Sequence, residues 1–312
     1  MMINDVSQQN NKAEEAVLKA LVFFDLFSYP LTDWEIWQGV SFNLDFLSLK
    51  KIIEKLLLEN KIETLEGFYF LPGRQEIVRI RKDRYNYTNA KIKLARSAVR
   101  FFSWLPSVKL VAVSNLIGHH NLRAESDIDI FIITSSGRLW LSRLFCTGIM
   151  KLLNRRPNKK TKKDKICLSF YVSASGLDLG NLRFKNGDPY FDYWLLGLFP
   201  LCDKDDYLNY FRFKNPWLKN VFPNCLLFKN GVSVPDSPIS LFEKSFFFLG
   251  DQLEKLAKKI QLLILPKKLK DLANQNSGVV LSDSVLRFYL NDRRQEFLDK
   301  YKKRLAEIGI YE

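Results

Sequence analysis

The run Glu125-Ser126-Asp127-Ile128-Asp129-Ile130-Phe131-Ile132-Ile133 constrains the fold more than any other part of the chain. Strand side chains alternate between two faces, so Asp127 and Asp129 project from the same face while the apolar residues anchor the strand in a core. Two carboxylates held that close repel each other unless a cation lies between them. Magnesium suits the pair, because it is a hard ion that accepts one or two carboxylates together with phosphate oxygens and waters. The bland alternative is that Ser126-Asp127 only caps or turns into a strand, since an Asp-x-Asp alone occurs by chance in many proteins. Its place one unit after a buried strand, with a Ser just before it, favours the metal-binding reading.

The surroundings of this run form a compact pattern. Val108 to Val113 reads as a buried strand, Ser114 to Glu125 as a polar loop, Asp127 to Thr134 as the second strand, Leu139 to Leu153 as a helix and Ile166 to Val172 as a third strand. The segment Asn154 to Lys165 is loop-like and cationic, with Arg155, Arg156, Lys159, Lys160, Lys162, Lys163 and Lys165 against only Asp164. A solvated loop is the plain reading, and a seat for polyphosphate or a nucleic-acid strand is the functional one. The chain's two histidines, His119 and His120, fall in the loop before the acidic pair, beside Gly118, Asn121 and Arg123. They are read as solvent-exposed, with ligation of phosphate or metal as the alternative.

Val111-Ala112-Val113-Ser114, a loop, and then Ser126-Asp127-Ile128-Asp129 resemble the nucleotidyltransferase superfamily that includes DNA polymerase beta, the antibiotic nucleotidyltransferases and the minimal nucleotidyltransferases. The resemblance covers roughly Val108 to Val172, about a fifth of the chain. It implies a small mixed-sheet domain within an α/β (α+β) fold and transfer of a nucleoside monophosphate from a nucleoside triphosphate, with release of pyrophosphate. Asp127 and Asp129 would be the catalytic metal ligands, magnesium the ion and ATP the triphosphate, with Ser114, Asn115, Arg123 and Ser126 on the triphosphate side. Positioning and charge neutralisation supply most of the catalysis in such transfers. An acceptor of nucleic acid or protein, and a helical protein partner of the kind beside which minimal nucleotidyltransferases work, belong to the same expectation.

Two positions depart from the family pattern. Where a Gly-Ser pair usually follows the first strand, this chain has Asn115-Leu116. Asn tolerates a left-handed backbone and its amide donates, but Leu cannot replace a hydroxyl. The third acidic residue is expected on the strand after the helix, which here reads Ile166-Cys167-Leu168-Ser169-Phe170-Tyr171-Val172 and holds no carboxylate. Asp164 and Asp178 are the nearest in sequence. A rival reading follows: a lapsed nucleotidyltransferase that binds nucleotide or nucleic acid as a regulator.

The remaining chain supplies flanking units. At 312 residues it exceeds the roughly 250 at which single cores stop growing, so boundaries are expected. Apolar stripes place helices from Ala13 to Phe27, after the Thr32-Asp33 cap, and from Leu44 to Glu59; Lys61 to Thr64 and Phe68 to Leu71 then form a hairpin about Leu65-Glu66-Gly67. Three helices and a hairpin are the winged-helix order. In DNA-binding members the third helix enters the major groove, but here Lys50, Lys51 and Lys55 are balanced by Asp45, Glu54 and Glu59, which favours a packing or docking role. The expected units are residues 1–73 (winged helix), 74–106 (basic helical connector), 107–187 (nucleotidyltransferase core) and 188–312 (C-terminal helices). In the last, Pro189 to Phe199, Pro238 to Ile264 with caps near Asp236-Ser237, and Asp292 to Ile308 read as helical, with Asn274 to Gly278 as a linker. Asp188, Tyr190, Asp192, Tyr193 and Trp194 open that region, where similar enzymes face their acceptor; core packing is the bland reading.

Composition agrees with a folded chain: 47% hydrophobic, 26% charged and 14% aromatic. A formal charge of +14 attracts polyanions such as nucleic acid or nucleotides, although lysine-rich composition alone gives the same sign. Cys146, Cys167, Cys202 and Cys225 have no metal-type spacing and read as reduced core residues. The polar start from Met1 to Lys12 and the lack of a long apolar run predict a cytoplasmic protein with no membrane partner.

Overall fold

Residues 2–118, 120–158, 161–225 and 247–311 are described by the computed structural model. His119, Lys159, Lys160, the Asp236-Ser237 cap and the expected helix start at Pro238 lie outside them.

Three helices and a hairpin open the chain: α1 (Met2–Asp25), α2 (Asp33–Gly39), α3 (Phe46–Leu58), β1 (Glu63–Leu65) and β2 (Phe68–Phe70). Thr32 and Glu35 form a reciprocal capping box on α2, and Asp45 caps α3 by accepting from Ser48 N. The hairpin turns on Glu66 and Gly67 at φ 54° and 80°, the two left-handed residues that match strand twist. Its short strands pair antiparallel, Thr64 opposite Tyr69. The basic connector is the long helix α4 (Glu76–Val99), and Arg81 on it closes a fork on Glu35 at 2.7 and 2.9 Å.

A six-stranded mixed sheet follows, built from β3 (Val108–Val113), β4 (Ile128–Thr134), β5 (Ile166–Ser173), β6 (Phe199–Asp203), β7 (Val279–Leu281) and β8 (Val285–Phe288), in the order β6-β3-β4-β5-β8-β7. Among the described residues only the β4–β5 pair is parallel, and the helix α5 (Leu139–Leu152) makes its crossover. The fold is therefore mixed α/β, as expected. The region after residue 188 departs from the helical expectation: between α6 (Pro189–Leu196), α7 (Tyr207–Phe213), α8 (Trp217–Val221), α9 (Phe247–Ile264), α10 (Lys267–Asp271) and α11 (Arg294–Glu307) it supplies three of the six strands. Phe199, expected as the end of a helix, instead begins β6, and the Asn274 to Gly278 linker leads into β7.

The sheet is buried on both faces, which is why β3 and β4 read as continuous apolar runs. Ile128, Ile130 and Ile132 pack with Leu139, Cys146 and Met150 of α5 and Ala257 of α9. On the opposite face Phe131, Ile133, Phe170 and Val172 pack with Phe191, Trp194 and Phe211. That second core continues through Tyr193 to Phe23 of α1, whose rings stack at 4.4 Å, and to Tyr301 of α11. The sequence boundary near residue 73 thus runs through one hydrophobic cluster. Among the described residues no helix is long and apolar enough to cross a membrane.

Candidate functional site

The acidic pair sits at the start of β4, where the strand leaves its loop. Asn115 fixes this point: its Nδ2 donates to Asp127 O at 3.0 Å and its Oδ1 accepts from Asp129 N at 3.3 Å. Ser114 is buried, and both its amide and its hydroxyl donate to Asp129 O, at 2.9 and 3.2 Å. These two residues therefore brace the backbone that carries the carboxylates. Ser126 donates to Arg123 O at 2.9 Å and receives Lys91 Nζ on its carbonyl at 2.6 Å. Leu116, at the family's hydroxyl position, is a buried core residue.

Parallel pairing then brings in a residue the sequence pattern left in the core. Asp129 lies in register with Cys167 of β5. Among the described residues Asp127, Asp129 and Cys167 form a group of three possible metal ligands, with one donor atom from each within 4.8 Å of the others. Neither expected substitute for the third acid joins them. Asp164 instead accepts from buried Lys91 at 2.6 Å, and Asp178 accepts from Gly180 N at 2.9 Å.

Enclosure sets the electrostatics of the group. Burial first, and then the charge of Asp127, push the Asp129 carboxyl up to about 7, while the Cys167 thiol acts in the opposite sense. Burial also raises Asp127, against the pull of Lys162 and Lys91. The Cys167 thiol is pushed up by burial and then by Asp129.

Asp129 lines a cavity of about 350 Å³. Asn115, Arg123 and Ser126 line it, as do Arg84, Arg287, Arg293 and Arg294, with Phe27, Tyr190, Trp194, Tyr289 and Phe297 as aromatic walls. Arg84 donates to Phe27 O and Asn121 Oδ1 at 2.5 and 2.7 Å; burial first, and then Arg123, lower its pKa. Arg287 is buried, pairs with Asp292 at 3.3 Å, and keeps a buried Nε with no hydrogen-bond partner. Arg294 joins Asp188 at 2.6 Å and Asp292 at 2.8 Å. Five arginines thus line the cavity against two carboxylates, Asp129 and Asp292.

The aromatic-acidic segment opening α6 divides between the two readings given to it. Tyr190 and Trp194 face the cavity. Tyr193 is core, its hydroxyl donating to Gly39 O at 2.7 Å, while Asp188 and Asp192 are held by Arg294 and Arg183. His120, at φ 58°, meets the Tyr85 ring at a tilt, centroids 4.7 Å apart, and lines a separate, smaller cavity with Arg212. The site arginines from β8 and beyond were missed because they lie some 160 positions from the acidic pair. Their one sequence signal is a charge, Arg287, inside the apolar run Val285-Leu286-Arg287-Phe288.

No family model matches the chain, and no curated protein and no solved structure matches it either.

Proposed function

We propose that the protein is a nucleotidyltransferase of the DNA polymerase beta type, moving a nucleoside monophosphate from a nucleoside triphosphate to an acceptor hydroxyl. One observation carries the reading: Asp129, one of a close carboxylate pair, lines the same cavity as five arginines. A metal-bound triphosphate has that charge distribution in reverse, with the cation at the reacting phosphates and anionic oxygens along its length. The order strand, loop, acidic strand, helix, parallel strand agrees with the resemblance. The opening three helices and hairpin support a winged helix, whose Lys50 and Lys55 pair with Asp33 and Glu14, favouring packing over DNA contact.

Asp127 and Asp129 would hold the divalent ion, and the fit rests on their geometry, a donor atom of each lying within 4.8 Å of the other. Two carboxylates with phosphate oxygens suffice for magnesium. When bound, the ion supplies charge neutralisation at the phosphates. The protein's own part is positional: Asn115 and Ser114 set the strand, and Arg84, Arg123 and Arg287 offer donors to phosphate oxygens. Tyr190, Trp194 and Tyr289 offer apolar walls for a base or an aromatic acceptor group.

The absence of a third carboxylate from the group supports the second reading, a nucleotide- or nucleic-acid-binding regulator without turnover. Incubation of the full chain with each labelled nucleoside triphosphate, magnesium and a mixed pool of RNA, protein and metabolites separates the two. Label transfer lost in an Asp127→Asn, Asp129→Asn variant is the expected result. Binding of nucleotide with no transfer under any condition would select the regulator.

A further inference from the structure

The donor at the third position of the acidic group is sulfur. A thiol is a poor partner for magnesium, which demands oxygen ligands in near-octahedral geometry. Thiolate combined with carboxylate is instead a donor set of borderline ions, and zinc takes Cys and Asp together in four-coordinate sites. Three protein donors also leave the fourth position open, as in sites where zinc meets a substrate or water.

Local geometry makes the thiol part of the site. The parallel register sets Cys167 directly beside Asp129, and an irregularity between Asp129 and Phe131 changes the pairing immediately afterwards. Ser169 follows on the same strand, two residues after Cys167. It is 7% exposed, and its hydroxyl makes no well-formed hydrogen bond, only weak contacts with the Cys167 thiol and the Tyr289 hydroxyl. A buried hydroxyl left with only weak contacts, beside three close metal-ligand atoms, has an acceptor lone pair to offer a ligand there. Tetrahedral zinc distances place ligand atoms roughly 3.4–3.7 Å apart, so small side-chain rotations close the group around one ion.

We propose that Asp127, Asp129 and Cys167 form a three-donor seat for a divalent cation of the zinc class, with Ser169 and Tyr289 beside its open position. Binding forms a metal–sulfur bond and releases the thiol proton to solvent, with no change of oxidation state. The inference rests on the acidic pair being a metal site, as in the proposed function, and is independent of the transfer reaction.

Titration of the metal-free full-length protein with cadmium or cobalt tests it. The expected result is an ultraviolet thiolate-to-metal charge-transfer band that saturates at one ion per chain and is absent in Cys167→Ser. Zinc binding by calorimetry should weaken at least tenfold in that variant, since even residues behind a ligand cost about 10- to 100-fold. Zinc-edge absorption on the unaltered protein needs no variant and should show one sulfur at about 2.3 Å. A shell of oxygen and nitrogen alone, or a band that persists in Cys167→Ser, overturns the proposal. Magnesium-supported transfer without zinc or cadmium binding at Cys167 also overturns it, while leaving the proposed function standing. No binding of any divalent ion removes both.

Discussion

Burial, and then the charge of Asp127, push the carboxyl of Asp129 up to about 7, so the metal-free fold holds it largely as the acid below neutral pH and about half so at pH 7. Its folded value lies above the ordinary value of 3.8, so the stabilising contribution is complete below about pH 4 and is lost as pH rises through 7. Asp129→Asn is uncharged at every pH and escapes that loss. In a chelator, the variant should therefore melt higher than the parent at pH 8, by on the order of 2 kcal/mol after allowance for partial exposure, and nearly level with it at pH 4. Equal differences at both pH values would show that the environment of Asp129 is not the source. Cys167 shows why one ligand candidate was legible and the next was not. Asp127, one residue before β4, and Asp129 within it are two apart, and extended-chain alternation alone suggests that they lie together. Cys167 joins them only through the β4–β5 register, which no local pattern sets.

Among the elements, β3, β4, α5 and β5 were legible because their runs are long and doubly buried, and α2 because of the Thr32-Asp33 cap, which the structure completes with Glu35. The strands β6, β7 and β8 were not. β6 contains Pro200 and lies at the sheet edge, where proline is tolerated. β7 and β8 have three and four residues, too few for a period, and β8 owes its place to β5, more than a hundred positions away. What holds this late region in place is α11, through Arg294. Its guanidinium reaches Asp188, the N-cap of α6, with both side chains 2% exposed, and also Leu182 O and Asp292. Removing one partner from a buried pair leaves an uncompensated charge. Arg294→Met should accordingly cost about 3–5 kcal/mol in urea unfolding. Asp188→Asn in the same chain should cost less than the two single losses added together. Strict additivity in that cycle would place the pair outside the energetics that tie α11 to α6.

At the scale of the molecule, the sequence divides more readily than the core does. Composition and turn signals put a boundary near Pro72-Gly73, yet one hydrophobic cluster runs from Val17 and Phe23 in α1 through Tyr193 in α6 to Tyr301 and Leu305 in α11. Phe27 and Tyr190 both stack on Phe297, and Arg304 of α11 lies 3.5 Å from Asp25 of α1. Phe27 and Phe297 also line the arginine-rich cavity, so the opening helices help to shape its wall. A unit that contributes to another's core loses that apolar burial when separated, and at roughly 25 cal/mol per Å² a few large aromatic rings amount to several kcal/mol. The opening helices and the sheet should therefore unfold together. Urea curves followed by far-ultraviolet circular dichroism and by the fluorescence of a chain keeping only Trp34 and Trp37 should superimpose, and Phe23→Ala should shift both midpoints by the same amount. If the N-terminal tryptophans report an earlier, separate transition, the sequence boundary is also a folding boundary and the cavity wall at Phe27 is free to open without disturbing the acidic pair.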